Sequence, residues 1–176
     1  MKKDNNTIWL ITITVLAFTI SFIFSFISES TMPKVPLSLG IIILIIFIVI
    51  GIIFDMIGVA VTSSDEEPLH AMSSKKIKGA KTAVNFKKNA AKVSSFCNDV
   101  IGDICGIISG SAGVTIALSL SQKLNTNPFW TGLFITAVIA ALTIGGKAFS
   151  KSIAIKNSHK IVYITAKTMG IFEKRK

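Results

Sequence analysis

Three carboxylates stand where an apolar chain has least room for them: Asp55, Asp99 and Asp103. Asp55 follows an almost pure Ile and Val run, and Asp99 and Asp103 open an apolar stretch that reaches Ser121. An ionisable side chain within a membrane segment costs about 2.5–3.5 kcal/mol on insertion scales, so each of the three invites a functional reading. The spacing of four puts Asp99 and Asp103 on one helix face, with Asn98 one residue off it. Two acids on one face repel unless a cation or a proton intervenes. Carboxylates without His or Cys beside them suit a hard cation such as Mg²⁺, which prefers six oxygens and usually keeps some of its water. Asp55 is expected to reach a similar depth, so that the three converge. The alternative for Asp99 and Asp103 is a solvated place at the membrane boundary, paired with Lys92 or Lys147.

Other chemistry is thinly represented. Cys97 and Cys105 are roughly 12 Å apart along a helix, beyond the roughly 7 Å that a disulfide tolerates, so they read as small packing residues, with a metal role a minor alternative. No nucleophile is paired with a base, and an enzyme is not expected. His70 reads as an ordinary surface residue. Gly102, Gly106 and Gly110 repeat every four residues, the pattern that lets membrane helices approach until backbones touch. They are assigned to contact with another helix, in the same chain or a second one; a glycine-rich half-helix lining an ion path is the alternative.

The elements that must position these residues follow from composition. Of 176 residues, 51% are apolar and 16% charged, with a mean hydropathy of +0.66, which argues against a water-soluble globular domain. The 19 Lys and Arg against 9 Asp and Glu give a net charge of +10, but the charges are confined to segments between apolar runs, so the bilayer and not nucleic acid is the expected partner. A crossing helix needs about 20 mostly apolar residues. Four windows qualify: Ile8 to Ile27, Leu37 to Asp55 and onward to Thr62, Ile104 to Ser121 beginning near Ser94, and Phe129 to Gly146. The β-branched run Ile41 to Ile53 favours a strand in water, but a lone strand in lipid leaves its backbone unpaired, so helices win. The short alternating segments of an outer-membrane barrel are lacking.

Between and after the windows, Asp65 ahead of Glu66, Glu67 and Pro68 marks a helix start. Two short cytoplasmic helices are predicted, about 66 to 78 and 80 to 92, broken at Gly79, the second running on into the third span. Their lysines face either solvent or anionic head groups. Asn127 and Pro128 make an outward turn into Phe129 and Trp130, which anchor one interface as Trp9 anchors the other. Asn157 and Ser158 begin a last helix, with Lys160, Lys167 and Lys174 on one side and Ile161, Ile164, Thr168, Ile171 and Phe172 on another, predicted to lie along the inner membrane surface. Basic residues crowd 75–92 and the stretch after Gly146, which places both termini in the cytoplasm. The opening Met-Lys-Lys also suits a secretory signal, but no small-x-small site is evident near Ser28 to Met32, and a retained helix is expected.

Three stretches, "LTIGGKAFSKSIAIKNSHKIVYITAK" (142–167), "IGVAVTSS" (57–64) and "CNDVIGD" (97–103), together resemble the transmembrane domain of the CorB/CorC and cyclin M (CNNM) family of magnesium transport proteins. The first is similar to that family's Gly-Glu-x-x-Pro-Lys motif and juxtamembrane helix, the second to the end of its first core helix, the third to its Gly-Asn pair. The resemblance implies a helical dimer and an ion site built from a serine, the Gly-Asn pair and the Gly-Glu acid. Carried over, Asn98 matches the Asn and supplies a neutral oxygen, Gly146 the Gly and Lys151 the Lys. Cys97 stands for the Gly of the pair, Lys147 for the acidic ligand, Ser150 for the Pro, and Asp55 or Ile57 for the serines. The nucleotide-binding CBS pair usual in the family is not expected.

The expectation is therefore an all-α polytopic inner-membrane protein. Residues 1–36 form an extra N-terminal span and outer loop, 37–173 a CorC-like domain, and 174–176 a basic tail. Its first reading is a homodimer that binds, and moves, a divalent cation such as Mg²⁺ through Asp55, Asn98, Asp99 and Asp103. A lysine where the family has a carboxylate repels a divalent ion by several kcal/mol at low dielectric. Either the three acids rebuild the site, or Lys147 fills it and the chain is a non-transporting interaction or regulatory protein.

Overall fold

A computed structural model describes residues 2–173, and side chains over 7–169. The described residues are helical apart from short turns, with no strand among them. In order they form α1 (Lys2–Thr31), a 3₁₀ turn (Met32–Lys34), α2 (Leu37–Ser63), α3 (Glu66–Ser74), α4 (Ala80–Lys88) and α5 (Ala90–Ser95). A π-helical segment (Phe96–Gly102), α6 (Asp103–Leu124), α7 (Pro128–Lys156) and α8 (Ser158–Glu173) follow. Four stretches are long and apolar enough to cross a membrane: Thr7–Lys34, Leu37–Ser63, Ala90–Leu124 and Pro128–Lys156. They fit a multi-pass membrane protein, and each extends beyond the charge-free window that marks it in the sequence.

Threonine hydroxyls within α1 and α7 are satisfied locally, which lipid favours. Thr12, Thr14 and Thr19 donate to the carbonyls of Ile8, Leu10 and Val15 at 2.8 Å each. Thr136 and Thr143 do the same toward Gly132 and Ile139 at 2.8 Å. Threonine thus adds no polar surface to the α1 and α7 backbones.

The chain divides into two compact units, Met1–Gly51 with Val100–Gly145, and Ile52–Asp99 with Gly146–Lys176. In the first, α1 packs on α6. Val100, Ile104 and Ile108 form a buried core against Ile13, Ala17, Ile20 and Phe47. Asn125, left-handed at φ 50°, ends α6, and Thr126 N–H donates back to Ser121 O at 3.0 Å. Phe129 N–H then donates to Asn127 Oδ1 at 2.9 Å, so Asn127 caps α7 with Pro128 in its first turn, where no N–H is missed. The turn read from Asn127 and Pro128 is there, and Phe129 and Trp130 beyond it are exposed, their rings edge to face at 5.4 Å.

The second unit buries Ala60, Val61, Leu69, Ala83, Ala154, Val162 and Ala166 together. α3 and α8 both pack on α4. Lys87 Nζ donates to Thr62 O at 3.0 Å and to Val61 O at 3.4 Å, placing a cation on the last carbonyls of α2, where the helix dipole is negative.

The short helices differ from the predicted 66–78 and 80–92. α3 stops at Ser74 because Lys76 turns left-handed, φ 54°, and its N–H and that of Ile77 bond Ser73 O and Met72 O at 2.9 and 3.2 Å. This is the helix stop usually built on glycine. α4 stops at Lys88 because Asn89 turns its amide back onto Asn85, at 3.0 Å to the carbonyl and 3.1 Å to the side chain. A left-handed residue with a Cβ is strained, so Lys76→Gly is expected to raise stability by about 0.5–1 kcal/mol, the strain relieved less the entropy glycine loses on folding. Thermal unfolding in detergent measures it.

In α8 the buried stripe is Ser158, Val162 and Ala166, while Ile161 is half-buried and Ile164 and Thr168 are exposed. Of the apolar side expected to lie along the membrane surface, Ile164 and Thr168 are thus exposed and Ile161 packs at the edge of the buried core. Small residues pack because α4 lies close, with Gly79 against the Lys167 backbone. The side chains of Ile171, Phe172 and Lys174, and the 174–176 tail, lie outside the described residues.

Candidate functional site

Two positions on α2 organise the polar interior of the second unit: Asp55, and Gly58 one turn further on. Asp55 is buried, its side chain 8% exposed. α7 comes close enough to reach it because Gly146 has no Cβ, and one placed there would run into Ile52. The next residue is Lys147, whose Nζ lies 3.9 Å from Asp55 Oδ1 and whose side chain is 24% exposed. Ser150, buried one turn on, donates to Lys147 O at 2.9 Å.

Gly58 makes room for Asn98. A Cβ at position 58 would collide with the Asn98 amide oxygen. Asn98 sits in the π segment, where the backbone is wound wider than an α-helix, a feature frequent at functional sites. Its Nδ2 donates to Ser94 Oγ at 3.4 Å. Asn98 Oδ1 and Asp55 Oδ2 are both buried acceptors with no hydrogen-bond partner. Each such group costs about 1–3 kcal/mol, more when charged, so each oxygen has capacity for a further donor.

The three acids are not gathered. Asp55 is buried, whereas Asp99 and Asp103 are exposed, and among the described residues no three His, Cys, Asp or Glu side chains form a group able to hold a metal ion. The described residues thus offer no three-carboxylate group of the kind expected from Asp55, Asp99 and Asp103. The physical reason is local: Asp99 lies at the outer side of the π segment beside buried Val100, and Asp103 beside buried Ile104. Asp55 and Asn98 remain as polar groups of the second unit, with Lys147. Cys97 and Cys105 are buried and not joined in a disulfide, as packing residues would be.

Of the glycines assigned to packing, Gly102 is buried, but a Cβ at Gly106 or Gly110 would meet nothing within 4 Å. Among the described residues, those two have open space where a side chain would project. The residues that sequence reasoning passed over are Gly58 and Ser94. A glycine three places after an intramembrane aspartate is the signal that marks the first; nothing in the sequence marks the π segment.

Electrostatically, the arrangement neutralises Asp55 with an internal ammonium. An ammonium 3.9 Å from Asp55 Oδ1 opposes the approach of a second cation to that carboxylate. Comparison with family models, with curated proteins and with solved structures gives no match for this chain.

Proposed function

We propose that the chain is a multi-pass protein of the cytoplasmic membrane, both termini inside, in which the Lys147 ammonium holds the place of a divalent cation, and that it acts by association and not by transport. The observation that carries this reading is the 3.9 Å Lys147–Asp55 pair in a niche where only one carboxylate is buried. One carboxylate already neutralised attracts Mg²⁺ weakly, and a hard divalent ion prefers six oxygens. The orientation is supported by the lysines of 75–92 and of the stretch after Gly146, since basic residues favour the cytoplasmic side. The resemblance to the CorB/CorC and cyclin M domain then makes the chain a degenerate relative that keeps the scaffold and has lost the ion. Association through a second copy is supported by the open space at Gly106 and Gly110 on α6.

The test is flux. The full chain in proteoliposomes, with a magnesium dye inside and a Mg²⁺ gradient across the bilayer, is expected to give no entry above empty vesicles. Lys147→Glu, which returns a second carboxylate, is expected to gain saturable Mg²⁺ binding. Entry in the parent that Asp55→Asn removes would overturn the proposal.

A second reading has one observation in its favour: the unpartnered Asp55 Oδ2 and Asn98 Oδ1. There, a cation displaces Lys147 and takes those two oxygens with water completing its shell. The same flux measurement separates the two.

A further inference from the structure

The second unit carries a concentration of positive charge that the Asp55–Lys147 pair does not use. Apart from Lys2, Lys3, Lys34 and Lys123, every Lys and Arg of the chain lies in 52–99 or 146–176. That unit also contains the 52–63, 90–99 and 146–156 ends of three stretches long and apolar enough to cross a membrane, with α3, α4 and α8 in the same unit. Among its described residues the exposed acids are Asp65, Glu66 and Glu67 at the start of α3, and Asp99 on the π segment. His159 Nε2 faces Asp65 Oδ2 at 3.5 Å.

At the other end of α3, Lys76 and Lys78 flank Ile77, and all three are exposed. Lys76 holds a left-handed backbone at φ 54° where glycine is the relaxed choice, which is where a side chain kept for what it does is to be sought. The turn is seated on α8: a Cβ at Gly79 would stand 2.8 Å from Lys167 Cα. On α8, Lys160, Ile164 and Lys167 share one exposed stripe opposite buried Ser158, Val162 and Ala166. Ile164 is 50% exposed between its two lysines. Exposed isoleucine interleaved with lysine is the composition of a surface that meets acyl chains and phosphates together. A nucleic-acid surface calls for exposed aromatic rings, and the one ring here, Tyr163, is half-buried with Lys167 Nζ 6.0 Å from its centre.

We infer that the Lys76–Lys78 turn and the outer stripe of α8 form a docking surface for anionic phospholipid head groups of the adjacent leaflet. The inference stands independently of whether Lys147 replaces an ion. Head-group phosphates meet the lysine ammoniums, while Ile77 and Ile164 reach the upper acyl region.

The full chain in neutral detergent, given equimolar phosphatidylglycerol and phosphatidylcholine, is examined by native mass spectrometry. Phosphatidylglycerol is expected to be retained in preference. The triple variant Lys76→Gln, Lys78→Gln, Lys160→Gln is expected to lose that preference by about tenfold or more, because each lysine near an anionic surface contributes substantially. The matching triple arginine variant is expected to keep it, and circular dichroism checks that helicity is unchanged in both. Equal retention of the two lipids by the parent overturns the inference, as does an unchanged preference in the glutamine variant. Displacement of bound phosphatidylglycerol by inorganic phosphate or by a single-stranded oligonucleotide at equal concentration also overturns it, assigning the lysines to free phosphate or to nucleic acid.

Discussion

Lys147→Met is expected to destabilise the protein by about 3 kcal/mol, measured as a fall in thermal or denaturant midpoint in detergent. The side chain removed is of similar length and more apolar, so packing alone predicts a small effect. The cost arises because Asp55, 8% exposed, loses the cation that neutralises it and becomes an unpaired buried charge. Asp55→Asn in the same chain is expected to recover most of the loss, since a neutral amide needs no counter-charge. The double variant therefore lies near the parent, and the coupling between the two positions is the quantity to extract. Additive losses would show that the 3.9 Å pair contributes little.

Gly79→Ala is the second large effect, and it acts at a distance from that pair. Gly79 adopts φ 88°, a left-handed backbone that costs a residue with a Cβ about 1–2 kcal/mol. The added methyl would also stand 2.8 Å from Lys167 Cα and 3.1 Å from Lys167 N, so it must move backbone and not a flexible side-chain tip. With the overpacking cost of about 1–3 kcal/mol, a total of about 3 kcal/mol is expected. The loss should be confined to the seating of α4 on α8. Amide exchange is expected to rise over 80–88 and 158–169 and to stay near the parent's over α6. Uniform acceleration across the chain would contradict the assignment of this glycine to the α4–α8 contact.

The spans were legible because an apolar window without charge has one stable solution in lipid, and Ile41 to Ile53 obeyed that constraint over its β-branched propensity. Asp55 was legible as an ionisable residue out of place, and Lys147 as a residue able to answer it. The exposure of Asp99 was not, because it depends on a π segment that no propensity marks. The ends of α3 and α4 were misplaced for a related reason. Their stops rest on a left-handed lysine and on an asparagine folded back onto Asn85, neither being the glycine or proline that sequence reading relies on. In α8 the amphipathic periodicity was visible, but the buried stripe of Ser158, Val162 and Ala166 was not. The true interface is small because α4 is near, and only the fold supplies that neighbour.

Isothermal titration of the purified full chain with Mg²⁺ tests the central claim most directly, since the Lys147 ammonium and a divalent cation compete for the same carboxylate. The account predicts no saturable heat from the parent and a binding isotherm from Lys147→Glu. Saturable binding in the parent that vanishes in Asp55→Asn would contradict it and return the niche to the ion.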